Sequence, residues 1–215
     1  SEEKARVRLE SSIDPGTSAG ETIGVEVRIT SPGEAEVLSW KTDVILEEDA
    51  EVRAELEIPD PLLWSLEQPF LYEAEVLLLS EGEVLDRFTG TFGIRSIRFD
   101  ADKGFFLNDS PVKIKGVNIH HDAGCLGAAV PRDVWRMRIE RLQAVGCNAI
   151  RMAHNPHDPG LMDLCDEMGM LVMAEAFDEW EVAKGKNLNW IGDIGRNLIE
   201  FFLDILWVDY LQLMF

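Results

Sequence analysis

From Arg6 to about Phe99 the chain alternates apolar and polar residues in short runs: Val7-Leu9, Ile23-Ile29, Val37-Trp40, Val52-Ile58, Tyr72-Leu79 and Val84-Phe92. A period of two places successive side chains on opposite faces, the pattern of strands with one face in a core and one in water. Turn-forming residues separate the runs, at Asp14-Pro15-Gly16, Ser31-Pro32-Gly33 and Glu81-Gly82. This spacing predicts an antiparallel β-sandwich of about a hundred residues.

After Asp100 the pattern changes. Val112-Val117 reads as an apolar strand broken only by Lys113 and Lys115, and Arg132-Val145 sets Val134, Trp135, Ile139, Leu142 and Val145 at helical spacing. Pro131 suits the first turn of that helix, and Gly146 suits its end. A second strand is expected at Asn148-Met152, a second helix at Pro159-Met168 and a third strand at Met170-Ala174. Strand-helix alternation of this kind predicts parallel strands joined by right-handed crossovers. The stretch from Asn197 to Phe215 is rich in large apolar residues, but Glu200, Asp204 and Asp209 share no helical face, and it predicts no definite element. Each of those carboxylates at mid-membrane would cost roughly 2.5–3.5 kcal/mol, which argues against a membrane span.

In a parallel α/β barrel the loops at the C-terminal strand ends form the active-site mouth. The polar residues of this half gather there. Strand one runs into Asn118-Ile119-His120-His121-Asp122, strand two into Arg151-Met152-Ala153-His154-Asn155-Pro156-His157, and strand three into Glu175-Ala176-Phe177-Asp178-Glu179-Trp180. Histidine and arginine can hydrogen-bond sugar hydroxyls, and Trp180 offers a flat apolar face to a pyranose ring. Singly, each has a plainer role: a loop hydrogen bond, a pairing of Arg151 with a carboxylate, a core tryptophan. Placed together at three successive strand ends, they point to a carbohydrate pocket. The competing reading is a metal site, because His120, His121, His154, His157 and Asp122 include enough ligands for zinc. Against it, adjacent side chains such as His120 and His121 diverge on a strand, and the spacing matches no compact zinc motif. Neither a metal nor a cofactor is expected.

The chain carries 40 acidic and 20 basic residues, a net charge of −20, which repels phosphate backbones and anionic headgroups. Nucleic-acid and membrane partners are therefore not expected. Three widely spaced cysteines, Cys125, Cys147 and Cys165, form no C-x-x-C pair and are expected to be reduced and buried. Ser1 opens a charged stretch with no signal-peptide pattern, and an upstream portion is expected, so the compartment, cytoplasmic or periplasmic, is left open.

Several segments resemble the glycoside hydrolase family that contains bacterial β-galactosidases, β-glucuronidases and β-mannosidases. In the first half these are Leu63-Trp64-Ser65-Leu66-Glu67-Gln68-Pro69-Phe70-Leu71-Tyr72 and Phe92-Gly93-Ile94-Arg95. In the second they are Phe106-Leu107-Asn108, Lys115-Gly116-Val117-Asn118, His120-His121, Gly146-Cys147-Asn148-Ala149-Ile150-Arg151, His154-Asn155-Pro156 and Glu175-Ala176-Phe177-Asp178-Glu179-Trp180. The resemblance is clear from Trp64 to Trp180. It implies an immunoglobulin-like β-sandwich over residues 1–99, followed by the first part of a (β/α)8 TIM barrel over 100–215, incomplete and divergent over 188–215. Gly124-Cys125-Leu126-Gly127-Ala128 and Phe177-Asp178-Glu179-Trp180 lean towards β-galactosidase, with β-glucuronidase as the alternative.

The resemblance further implies that His120, His154, Asn155, Asp178 and Trp180 meet the sugar of a β-galactoside or related carbohydrate, and that Arg151 braces the site. It assigns none of them proton transfer or nucleophilic attack. A retaining glycosidase needs two carboxylates roughly 5–5.5 Å apart. In the family the acid/base glutamate follows an asparagine on strand four, and no Asn-Glu dipeptide occurs in the 215 residues. Both catalytic glutamates are expected beyond Phe215, the chain alone is expected to be inactive, and a homo-oligomer is allowed for the full-length parent. A barrel takes about 200 residues or more, and about 115 follow Asp100. The remaining alternative is a carbohydrate-binding or interaction module without catalysis.

Overall fold

A computed structural model describes residues 4–47, 50–175 and the backbone of 210–214. The described residues divide into two compact units: residues 4–47, 50–63, 70–94 and 210–214 form one, and residues 64–69 and 95–175 form the other.

The first unit is a two-sheet sandwich. Strands β1 (Lys4–Ile13), β2 (Thr22–Thr30), β3 (Glu36–Ile45), β4 (Ala50–Pro59), β5 (Tyr72–Ser80) and β6 (Glu83–Phe92) all fall on the alternating runs. One sheet has the order β3-β2-β5-β6, antiparallel throughout. The other pairs β1 antiparallel with β4 and parallel with a short strand β13 (Tyr210–Met214). One core receives alternate residues from both sheets: Val7 and Leu9 from β1, Ile23, Val25, Val27 and Ile29 from β2, Val52 and Ile58 from β4, and Ala74, Val76 and Leu78 from β5. Each fully buried aliphatic side chain contributes about 1.5–3 kcal/mol, so the period-two pattern also fixes the pairing register. Tyr72 closes one end, its ring stacked on Phe92 at 5.6 Å and its hydroxyl accepting from Leu62 N–H at 2.8 Å.

Alternation turns Glu26 away from that core, yet Glu26 is only 5% exposed. Arg28 Nε lies 2.7 Å and Lys41 Nζ 2.9 Å from its two carboxylate oxygens, and Arg28 also reaches Glu75. The hydrogen bonds from Arg28 and then Lys41 hold the Glu26 carboxyl below its usual range, against the upward push of burial.

The second unit begins with a small antiparallel sheet of β7 (Ile97–Asp100), β8 (Gly104–Leu107) and β9 (Ser110–Pro111). Three parallel strands follow in spatial order, β10 (Gly116–Ile119), β11 (Ala149–Met152) and β12 (Leu171–Ala174), joined by α1 (Arg132–Ala144) and α2 (Pro159–Met168). Trp135, Ile139, Ile150, Met152, Leu161, Leu164 and Met170 form the core between strands and helices. The second helix is bounded as its sequence predicts: the Asp158 side chain accepts from Gly160 N–H at 2.8 Å, and Gly169 ends it at φ +72°.

The structure corrects several expectations. The first parallel strand is Gly116–Ile119, not Val112-Val117. Val112 N–H instead bonds Phe105 O, and the Asn148 side chain takes both Lys115 N–H (2.7 Å) and Lys113 O (3.1 Å), so these backbone groups serve other partners than a strand neighbour. Pro131 caps α1 from outside its first turn. Of the three free cysteines only Cys165 is buried, its thiol pushed up to about 12 chiefly by that burial, while Cys125 is exposed and Cys147 half-buried. By their contacts, residues 64–69 and 95–99 group with the second unit. Trp64, 1% exposed, donates its indole N–H to Asp166 O at 2.8 Å, accepts at its own carbonyl from Asn108 Nδ2, and lies under the Arg95 guanidinium. Among the described residues no helix is long and apolar enough to cross a membrane.

Candidate functional site

Strand register builds this site. Asn118, Arg151 and Met173 are direct partners across β10, β11 and β12, so their side chains share one face of the parallel sheet. Two residues beyond Met173, on the same face, stands Glu175. Ile150 and Met152, one position off, turn the other way into the helix-packed core.

Glu175 unites the cluster. One of its oxygens receives Arg151 through Nε at 2.5 Å and also through Nη2. The other lies 2.7 Å from His154 Nδ1. A carboxylate can only accept, so the His154 Nδ1–H donates, which leaves Nε2 free to meet another group. Burial pushes the Glu175 carboxyl up, but the bonds and charge of His154 and Arg151 outweigh it and hold the group below the usual carboxylate range. At 16% side-chain exposure Glu175 is largely enclosed, whereas His154 at 43% and Arg151 at 39% reach the surface.

His120, from the end of β10, meets His154 edge-on at 5.7 Å between ring centroids. His121 turns away from it, stacking on His157 at 5.2 Å and on Trp135 at 5.7 Å. The four histidines therefore form two separate pairs, and among the described residues no three side chains of metal-ligating type converge. Asn155, beside His154, is exposed and gives its backbone carbonyl to His157 Nδ1 at 2.9 Å. Of the residues singled out in the sequence, His120, Arg151, His154 and Asn155 thus gather at adjoining strand ends. Asp178 and Trp180 lie outside the described residues. Glu175, which binds two of the others, was not among the selected site residues; its position just past a strand end was the available signal.

Two family models match this chain, glycosyl hydrolases family 2 over residues 1–95 and glycosyl hydrolases family 2, TIM barrel domain, over residues 100–191. The chain belongs to glycosyl hydrolases family 2. Its sandwich and parallel strands are the family's sandwich domain and the start of its TIM barrel domain. A β-galactosidase of Bacteroides ovatus is 46% identical over 130 residues, 60% of this chain and 15% of that protein. A crystal structure of a family 2 member from Bacteroides cellulosilyticus superposes with a TM-score of 0.81 at 36% identity, over 91% of this chain and 26% of that one. A Bacteroides uniformis β-glucuronidase, covalently bound to a cyclophellitol-6-carboxylate aziridine, superposes at 0.78 with 30% identity, over 94% and 24% respectively. The family 2 chain thus spans about a quarter or less of the length of these relatives.

Proposed function

We propose that this chain supplies the sandwich and the first sugar-holding strands of a retaining exo-β-glycosidase that removes terminal β-galactosyl units. The observation that carries the reading is the joining of Arg151 and His154 through Glu175 at the C-terminal ends of β11 and β12, beside His120. Bound this way, His154 offers Nε2 as an oriented hydrogen-bonding group to a sugar hydroxyl, and His120 stands at the same rim. Asn155, Asp178 and Trp180 complete the set, as hydrogen-bonding groups and an aromatic face.

Retention requires an acid/base and a nucleophile carboxylate, roughly 5–5.5 Å apart. The reading assigns neither role to Glu175, whose two oxygens are occupied by Arg151 and His154. Both roles fall to glutamates on later strands, and the 215-residue chain alone is inactive. Galactoside is preferred to glucuronide because Arg151, the cation at these strand ends, is already neutralised by Glu175, and a uronate carboxylate would face that acidic group. The Bacteroides ovatus relative is a β-galactosidase, which supports the same choice.

The experiment is hydrolysis of chromogenic substrates. The complete product of the source gene should cleave a β-galactoside faster than a β-glucuronide, and the 215-residue chain should cleave neither. Turnover by the short chain, abolished by Glu175→Gln, would overturn this assignment of roles.

A further inference from the structure

Behind the rim, the site rests on an aromatic stack that the proposed sugar contacts do not use. His121, next to His120, lies parallel to His157 at 5.2 Å with 25° between planes, and parallel to Trp135 at 5.7 Å with 29° between planes. Trp135 is fully buried on α1. His157 is fixed from the other side, because its Nδ1 donates to Asn155 O, and Asn155 follows His154. The stack thus connects three elements: the loop after β10, the loop after β11, and the helix between those strands.

Apart from the His157 Nδ1 bond to Asn155 O, hydrogen bonding does not explain these rings. Among the described residues His121 Nε2, His157 Nε2 and Trp135 Nε1 are buried and have no partner. Buried nitrogens without partners oppose folding. What the rings do provide is flat contact, and that contact ties the neighbour of His120 to the segment carrying His154. Metal ligation is a poor account of the pair: lone pairs lie in the ring planes, and nearly parallel planes do not aim them at one point.

We infer that His121 and His157 are positioning residues, whose stack on Trp135 sets the edge-on pairing of His120 with His154. The inference rests on the reading of that rim as a sugar subsite. Arg138 reinforces the stack from α1: its guanidinium lies 4.8 Å over Trp135 and donates to Asp122 O at 2.6 Å, holding the loop after β10 to the same ring. Because the contact is between ring faces, phenylalanine keeps the stack at either position and alanine does not, although at 157 it gives up the bond to Asn155 O.

The test uses the 215-residue chain with His121→Ala, His157→Ala, His121→Phe and His157→Phe, each first shown to be folded by circular dichroism. Imidazole resonances of His120 and His154 are recorded by NMR, and galactose affinity by calorimetry. The alanine variants should shift both sets of resonances and weaken galactose binding about tenfold or more, as displacement of a positioned group does. The phenylalanine variants should restore both. Unmoved resonances in the alanine variants, or phenylalanine variants that behave like alanine, would overturn the inference. If the unaltered chain binds no galactose, the sugar-subsite reading fails, while the resonances still decide whether the stack positions the rim.

Discussion

Glu175 Oε2 lies 2.7 Å from His154 Nδ1, while the other oxygen of the same carboxylate holds Arg151. Glu175, just past β12, thereby links that strand to Arg151 within β11 and to His154 just beyond it, so the site's geometry depends on one side chain. Glu175→Gln keeps the shape and removes the charge, and should lower stability by about 1–3 kcal/mol, the usual effect of losing charged hydrogen bonds.

That loss depends on pH with a definite sign. The folded-state value of Glu175 is depressed, so its contribution is complete above the unfolded carboxylate value and disappears as pH falls through the folded one. Thermal melts of the unaltered chain and Glu175→Gln should differ at neutral pH and converge in acid. A gap that stays constant across that range would contradict the assigned cause.

Glu26 offers the same test in the sandwich. Its carboxylate is enclosed and bound by Arg28 and Lys41 across β2 and β3, and its value is also depressed. Glu26→Ala should cost about 1–3 kcal/mol at neutral pH by leaving both cations without this partner. Urea unfolding at neutral and acid pH checks this, with the difference shrinking in acid.

Trp64 tests the segment between β4 and β5 that belongs to the second unit. Trp64→Ala should cost about 3–5 kcal/mol through the cavity left behind. Trp64→Phe should cost about 1 kcal/mol, since it fills most of the space and loses only the bond to Asp166 O. Equal costs in denaturant unfolding would show that packing contributes little there.

Gly169 ends α2 at φ +72°, and a Cβ there would run into the Leu66 carbonyl oxygen. Both the left-handed backbone and the close carbonyl oppose a side chain, so Gly169→Ala should destabilise by more than about 1–2 kcal/mol. A melting temperature equal to that of the unaltered chain would contradict the packing of Leu66 on this turn.

Much of this architecture was legible in the sequence, for identifiable reasons. The sandwich strands followed from period two because one face of each enters a shared core. The second helix was placed at its observed bounds, Pro159–Met168, and in the structure Asp158 and Gly169 mark those ends chemically. The first parallel strand was placed too early because Val112 and Ile114 look like strand residues, and nothing local shows that Asn148, more than thirty positions on, takes the backbone of Lys113 and Lys115. Strands β7 to β9 were missed because they are only two to four residues long.

At the site, the strand-end placement of His120, Arg151 and His154 was readable, since parallel strands bring their C-terminal ends to one side. Their shared partner was not. Glu175 is one of 40 acidic residues, and only the register of β12 on β11 places it on the same face as Arg151, two residues past Met173. The stack of His121 on His157 likewise depends on two loops meeting, which no spacing within either loop reveals.

Calorimetry of the 215-residue chain with galactose and with glucuronate asks most directly whether these strand ends hold a neutral hexose. Saturable heat is expected with galactose, less or none with glucuronate, and the galactose signal should be lost in His154→Ala. Equal heats for the two sugars, or a galactose signal unchanged in His154→Ala, would contradict that reading.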